Sequence, residues 1–195
     1  MPNLFIGENP KLEAVYKEVP AAGMCAVITH PHSLMGGSMD NNVVMAAWNT
    51  VLGRGYSALR FNFRGVGRSG GAFDNGVGEV GDLATVVNYM DYPVIIVGYS
   101  FGSWVAANFL QEVDVPCIFI SPPTSMFSFP SLKSLNIWAA VGSRDQFCDR
   151  SELDRILDKE RIRVIGGADH FWFGSEDPLR LYLEKKLDLI RSISY

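Results

Sequence analysis

A serine, an acid and a histidine in this chain have the types and the order needed for nucleophilic catalysis. Ser100 lies in Gly98-Tyr99-Ser100-Phe101-Gly102, Asp145 follows it along the chain, and His170 comes after both. A serine hydroxyl is a weak nucleophile until a base takes its proton, and that base needs a third group to hold its tautomer. These residues are therefore candidates for a nucleophile, an acid and a base.

The residues around Ser100 form a G-x-S-x-G motif between a predicted strand and a predicted helix. Residues 94–97 are a short β-branched run typical of a buried strand, and residues 104–113 have a helical pattern. Glycines relieve crowding at a tight strand-to-helix turn that exposes a serine hydroxyl. Gly and Ser also occur in ordinary turns, so it is the strand-turn-helix context that predicts a nucleophile elbow.

Asp145 and His170 each follow a predicted strand, at residues 137–141 and 162–165. Because the carboxyl ends of parallel strands line one crevice, the two side chains can meet Ser100 there. Asp169 is the rival acid, but it adjoins His170, and sequence neighbours rarely face each other productively. A plain loop or helix-cap role is the alternative interpretation for Asp145.

Backbone N–H groups near Ser100 would be needed to stabilise an oxyanion. The N–H of Phe101 is one candidate, and the loop after the strand at 25–29 offers a second. The proline at position 31 has no N–H, so His32 is the first choice, with Ser33 and Leu34 as alternatives.

Strand-like runs alternate with helical patterns from residue 24 onward, which predicts an α/β fold with a mostly parallel sheet covered by helices on both faces. Ser151 and the pair Asp177-Pro178 are the predicted starts of the last two helices. The predicted strands are 25–29, 56–63, 94–97, 115–120, 137–141 and 162–165, and the predicted helices are 41–52, 77–90, 100–112, 151–159 and 178–192.

The length of 195 residues predicts one domain covering 1–195. Residues 4–6 and 12–18 predict a hairpin at the sheet edge, within residues 1–20. Residues 121–135 form the one long irregular stretch; it is too short for a lid domain and is either a flap or a crossover loop. Its Met126, Phe127 and Phe129, together with Tyr99, are candidate substrate contacts.

A second glycine-rich segment, residues 60–71, resembles a phosphate-binding loop only superficially. It lacks the lysine of a P-loop and the G-x-G-x-x-G spacing. We therefore expect a structural turn in which Arg64 pairs with a carboxylate such as Glu79 or Asp82.

Composition argues against nucleic-acid-binding, membrane-spanning and metal-dependent functions. A net charge of −4 without a basic run argues against nucleic acid as a partner, and no apolar stretch is long enough to span a bilayer. Residues 1–5 lack the features of a signal peptide, so we expect a cytoplasmic protein that does not bind membranes. Cys25 and Cys117 begin apolar runs, which predicts buried free thiols. No carboxylate or thiolate at ligand spacing accompanies His30 and His32, so we expect no metal and no other cofactor.

With these residues identified, the chain resembles the α/β-hydrolase superfamily, and among its members the small lidless esterases of the dienelactone-hydrolase type. The resemblance rests on four segments, which are His30-Pro31-His32 with Gly36-Gly37, residues 61–69, the elbow at Ser100, and residues 167–171. It implies a three-layer fold with an eight-stranded, mostly parallel sheet and a triad of Ser100, Asp145 and His170. Dienelactone hydrolases carry cysteine at the position of Ser100, which favours general ester chemistry here.

The expected function is a serine hydrolase that cleaves small or short-chain carboxylic esters through an acyl-enzyme. The same machinery serves thioesters, amides and acyl transfer, so the leaving group stays open. The alternative class is a non-catalytic ligand-binding protein with a hydrolase fold. The expected partner is a small-molecule ester, and the sequence does not predict an oligomeric state.

Overall fold

A computed structural model describes residues 4–132 and 136–193 of the chain. The eight strands of the described part are β1 Leu4–Ile6, β2 Leu12–Lys17, β3 Cys25–Thr29, β4 Ser57–Phe61, β5 Val94–Tyr99, β6 Cys117–Ile120, β7 Ile137–Gly142 and β8 Ile162–Ile165. The α-helices there are α1 Asn42–Gly53, α2 Val77–Asn88, α3 Phe101–Phe109, α4 Arg150–Ile156 and α5 Glu176–Ile193. Short 3₁₀ turns cover Ser33–Met35 and Lys159–Arg161.

The strands form one sheet in the order β1-β2-β4-β3-β5-β6-β7-β8. Strand β2 pairs antiparallel with both β1 and β4, whereas the pairs from β4 through β8 are parallel. Strand β5 is central, and consecutive parallel strands are joined by crossover connections, most of them helical. The eight-stranded, mostly parallel sheet that the family resemblance implied is confirmed.

Helices cover both faces of the sheet, because alternate side chains of each buried strand point to opposite sides. On one face, Val94 and Ile96 belong to a core with residues of α2, α3 and α4. On the other face, Ile95 and Val97 belong to a core with α1 and α5. Strand β5 is therefore apolar on both faces. The turn that follows it is held in place between the two helical layers.

Several element boundaries differ from the sequence-based ones. Helix α3 ends at Phe109, earlier than predicted. Ser151 does not cap α4; the cap is Asp149, whose carboxylate accepts from the N–H groups of Ser151 and Glu152. Helix α5 begins at Glu176, so Pro178 is its third residue and not its first. A proline is tolerated there because the first turn of a helix leaves its N–H groups without intrahelical acceptors.

Other expectations about the framework agree with the structure. Cys25 and Cys117 are buried free thiols as predicted, and Cys148, for which no prediction was made, is one too. Arg64 pairs with the buried carboxylate of Asp82, with 2.7 Å between Arg64 Nη2 and Asp82 Oδ1. The glycine-rich segment beside Arg64 is thus anchored to α2 by an ion pair. Within the described ranges, no helix is both long and apolar enough to cross a membrane.

Candidate active site

The turn after β5 holds Ser100 in a backbone conformation that residues other than glycine rarely adopt. Its φ is 52° and its ψ is −122°, and α3 begins at the next residue. A Cβ on Gly98 would lie 2.7 Å from the Cα of Ser103, and a Cβ on Gly102 would lie 2.4 Å from Thr29 Oγ1. Both glycines of the motif are therefore required by close packing of β5, α3 and the end of β3. Strain of this kind persists where surrounding structure enforces it, often at functional sites.

The structure brings the three predicted side chains into one hydrogen-bonded chain. Ser100 Oγ lies 2.9 Å from His170 Nε2, and His170 Nδ1 lies 2.9 Å from Asp145 Oδ1. Asp145 and His170 come from the loops that follow β7 and β8, so each lies at the carboxyl edge of the sheet. Ser100 is 7% exposed, His170 6% and Asp145 8%. The three groups are almost entirely removed from bulk water, which strengthens their mutual interactions.

Asp145, rather than Asp169, contacts the imidazole. The Asp169 carboxylate accepts instead from the N–H groups of Phe171 and Trp172 in its own loop, at 2.9 and 3.0 Å. Burial opposes ionisation of Asp145, but hydrogen bonds and charge from His170, with further hydrogen bonds from Ser121 and the Phe147 N–H, lower its pKa below the usual value. The carboxylate is therefore ionised at neutral pH and can stabilise an imidazolium.

Two of the four candidate oxyanion donors belong to residues that line a cleft beside Ser100. Phe101 and His32 line it, and among the described residues neither backbone N–H has a protein acceptor. The Leu34 N–H is occupied, because it donates to the ring Nδ1 of His32 at 3.2 Å. Ser33 and Leu34 do not line the cleft. Geometry therefore favours the first choice, His32, over the two alternatives.

His30 is a structural residue. It is fully buried, its Nδ1 lies 2.6 Å from the carbonyl oxygen of Pro31, and its Nε2 accepts from the N–H of Phe63 at 3.0 Å. Burial lowers the pKa of His30 to about 4. In the described part of the chain, no three His, Cys, Asp or Glu side chains are grouped as a metal site would require.

A cleft of about 320 Å³ opens above Ser100 and His170. Tyr99, Met126 and Phe127 line it as expected, and Tyr99 also donates its hydroxyl proton to the carbonyl oxygen of His170 at 3.0 Å. The expectation for Phe129 is wrong in position. It does not line the cleft; its half-buried ring packs against the core, with its centroid 6.2 Å from that of Phe119. Residues 133–135, at the end of the predicted flap or crossover, lie outside the described residues.

Sequence reasoning missed several residues of the cleft wall. Met35, Asn41, Phe147 and Phe171 line it, two from the loop after β3 and two from the acid and histidine loops. Proximity in the chain to Asp145 and His170 was a usable signal for Phe147 and Phe171. No described lining residue is an Asp, Glu, Lys or Arg, and the polar side chains that line the cleft are those of Ser100, His170, His32, Tyr99 and Asn41.

Comparison with known proteins agrees with this architecture. The profile of the "Alpha/beta hydrolase family" matches residues 27–183. An uncharacterized protein of Rickettsia prowazekii is 31% identical over 197 aligned residues, covering 88% of this chain and 82% of the relative.

Two solved structures extend the comparison. An alpha-beta serine hydrolase homologue from Coxiella burnetii is 29% identical, with a TM-score of 0.86 over 95% of this chain and 97% of that one. The protein XC6422 from Xanthomonas campestris, described as an a/b serine hydrolase without lid, is 26% identical, with a TM-score of 0.85 over 96% of this chain and 93% of that one. With the sheet, the elbow and the profile match in agreement, this chain belongs to the alpha/beta hydrolase family.

Proposed function

We propose that this protein is a serine hydrolase that cleaves small, uncharged carboxylic esters through an acyl-enzyme intermediate. The observation that carries the proposal is the unbroken hydrogen-bonded chain from Ser100 Oγ through the His170 ring to Asp145. Each link has a hydrogen-bond separation within 2.6–3.2 Å, so the base can take the proton of the nucleophile while the acid orients the base.

The geometry assigns a role to each group. Ser100 Oγ attacks the acyl carbon while His170 Nε2 takes the hydroxyl proton, and Asp145 holds the imidazole and stabilises its positive charge. The carbonyl oxygen becomes an oxyanion beside the free N–H groups of Phe101 and His32. His170 then gives its proton to the departing alkoxide, which leaves as an alcohol, and the acyl group stays on Ser100. Water activated by His170 releases the acid and restores the serine.

The cleft favours an uncharged and compact acyl group. Its described walls carry no charged side chain other than the catalytic groups, so a carboxylate or ammonium on the substrate would lose hydration without a partner. Its volume of about 320 Å³ is at the small end of ligand sites. Each CH₂ that a long tail fails to bury forgoes roughly 0.8 kcal/mol of binding. We therefore expect acetyl and butyryl esters to give a higher kcat/KM than palmitoyl esters.

Labelling with a fluorophosphonate tests this function most directly. We expect rapid modification, mapped by mass spectrometry to Ser100, together with hydrolysis of p-nitrophenyl acetate and butyrate. Ser100→Ala is expected to abolish both, and Ser151→Ala, which changes a serine on α4 outside the cleft, serves as the matched control. A folded Ser100→Ala variant with more than a tenth of wild-type turnover would contradict the proposal, as would a preference for C12 or longer esters measured below their micellar concentration.

A further inference from the structure

The hydroxyl of Tyr99 connects the strand that leads to the nucleophile with the loop that carries the base. Tyr99 is the last residue of β5 and directly precedes Ser100, whereas His170 lies in the loop between β8 and α5. The Tyr99 hydroxyl donates to the main-chain carbonyl oxygen of His170 at 3.0 Å. One hydrogen bond therefore joins the neighbour of the nucleophile directly to the backbone of the base.

This hydrogen bond is buried, and its direction is fixed. A carbonyl oxygen can only accept, so the phenol proton of Tyr99 lies in the bond. Burial, together with the charges of Asp145 and Asp169, raises the pKa of Tyr99 well above its usual value, so the hydroxyl keeps its proton at neutral pH. Within residues 4–132 and 136–193, no backbone N–H donates to the same carbonyl. Removing the hydroxyl would therefore leave a buried acceptor without its donor.

Two other hydrogen bonds anchor the same loop on either side of His170. The carbonyl oxygen of Ala168 accepts from a backbone N–H of the acid loop at 2.9 Å, and that of Phe171 accepts from Asn42 Nδ2 on α1 at 2.9 Å. These bonds hold residues that flank the base. The bond from Tyr99 holds the main chain of the base itself, and it comes from the strand that ends at the nucleophile.

We propose that Tyr99 is a positioning residue whose hydroxyl holds the main chain of His170 at the distance from Ser100 that proton transfer needs. The role rests on the proposed function, since it presupposes that His170 is the catalytic base. The imidazole must keep Nε2 2.9 Å from Ser100 Oγ and Nδ1 2.9 Å from Asp145 Oδ1 at the same time. A displaced main chain cannot maintain both distances, and a misplacement of about 1 Å can cost on the order of 10² in rate.

Direct contact with the substrate is the alternative role for Tyr99, because this residue also lines the cleft. The hydroxyl has a single proton, which the carbonyl oxygen of His170 already accepts, so it has none to donate to a substrate. The two roles also affect different kinetic constants. A lost substrate contact raises KM by an amount that depends on the acyl group, whereas a misplaced base lowers kcat by the same factor for every ester.

Tyr99→Phe removes the hydroxyl and keeps the ring. We expect kcat for p-nitrophenyl acetate and p-nitrophenyl butyrate to fall about tenfold, by the same factor for both, while KM stays within about twofold. The two flanking anchors remain in this variant, which is why the expected loss is smaller than 10². Labelling of Ser100 by a fluorophosphonate should slow by the same factor, since that reaction uses the same base on a different reagent.

Tyr56→Phe is the matched control. Tyr56 is also buried, and its hydroxyl also donates to a backbone carbonyl oxygen, that of Leu187 on α5, at 2.6 Å. It does not line the cleft. Both variants lose a buried hydrogen bond of the same type, so both should lower the Tm by about 2–4 °C. Only Tyr99→Phe should lower kcat, measured at a temperature where circular dichroism shows both variants to be folded.

The NMR signal of the proton between His170 Nδ1 and Asp145 provides a measurement that needs no turnover. It should move or broaden in Tyr99→Phe and stay unchanged in Tyr56→Phe.

The positioning role is overturned if Tyr99→Phe keeps the wild-type kcat or the wild-type NMR signal. It is also overturned if Tyr56→Phe loses as much activity, or if the loss in Tyr99→Phe lies in KM and differs between the two esters. Failure of the proposed function has a different signature. In that case the NMR signal still changes in Tyr99→Phe alone, but the wild-type protein neither hydrolyses p-nitrophenyl esters nor reacts with a fluorophosphonate at Ser100.

Discussion

His30 and His170 are two buried imidazoles at the same edge of the sheet, and their partners make them chemically different. In both rings Nδ1 is within hydrogen-bond distance of an oxygen and Nε2 of a donor. The oxygen is a backbone carbonyl for His30 and the Asp145 carboxylate for His170. The donor is the fixed N–H of Phe63 for His30 and the Ser100 hydroxyl for His170.

This difference decides which ring can accept a proton. A proton on Nε2 of His30 would face a backbone N–H that cannot give way, and no carboxylate would stabilise the resulting charge. A hydroxyl can transfer its own proton, and a carboxylate stabilises the imidazolium that results. Both rings are buried, so burial does not distinguish them. The hydrogen-bond partners do, because only those of His170 allow the imidazole to act as a base.

The largest expected effect comes from removing the imidazole of His170, the ring whose hydrogen-bond partners are side chains. His170→Ala should lower kcat for p-nitrophenyl butyrate by about 10⁶, because the nucleophile loses its base. His30→Gln should retain activity within about tenfold in folded protein, since the hydrogen bonds of His30 are made to backbone groups and none reaches the triad. Steady-state kinetics with circular dichroism on both variants checks this. Equal losses of kcat in the two variants would contradict the assignment of His170 as the base and His30 as a structural residue.

The second expectation concerns the carboxylate that distinguishes the two rings. Asp145→Asn should lose roughly 10⁴ in kcat, because the amide cannot stabilise the imidazolium and favours the wrong tautomer. Asp169→Asn is the matched control and should lose far less, since its oxygen can still accept from the N–H groups of Phe171 and Trp172. The reverse ranking in kcat would assign the acid role to Asp169.

The third expectation uses pH to test His30 as a neutral structural residue. Burial lowers its pKa from 6.5 to about 4 in the folded protein. The unfolded chain therefore takes up a proton at higher pH than the folded one, so stability is lost as the pH falls from 6.5 toward 4. Between pH 7.5 and pH 5 this amounts to about 2 kcal/mol.

Urea unfolding of the wild type and His30→Gln at the two pH values measures this loss. The stability advantage of the wild type should be about 2 kcal/mol smaller at pH 5 than at pH 7.5. An advantage that stays constant with pH would mean that His30 does not remain neutral in the fold.

The smallest expected effect is at His32, whose backbone N–H is proposed to hold the oxyanion. His32→Ala keeps that N–H, so kcat should fall less than tenfold, through loss of the ring's bond to the Leu34 N–H and of its contact with Phe101. The measurement is kcat and KM with p-nitrophenyl acetate. A loss comparable to that of His170→Ala would assign a direct role to the His32 side chain.

Local patterns predicted much of the framework. Strands β3 and β8 have the predicted bounds, because a short β-branched run between polar turns has few alternatives. Helix ends were harder. The cap of α4 shifted from Ser151 to Asp149, since either side chain is a good cap and tertiary packing selected between them.

The cleft wall was the least predictable part of the site. Phe127 lines it, but Phe129, two residues further along, does not. No periodic pattern governs an irregular loop, so nothing in the sequence distinguished the two rings. The buried hydrogen bond between Trp172 and Ser121 was missed for the same reason, because it joins two loops that are far apart in the chain.

By itself the sequence determined the alternation of strands and helices, the strained glycine-flanked turn at Ser100 and the chain order of serine, acid and histidine, because these depend on local sterics and on the chemistry of side-chain types. Only the tertiary structure decided that Asp145 and not Asp169 faces His170, that His30 is hydrogen-bonded by backbone groups while His170 is hydrogen-bonded by side chains, and that Phe127 but not Phe129 lines the cleft. Those outcomes depend on distances between separate loops, which parallel strand pairing fixes and no local pattern encodes.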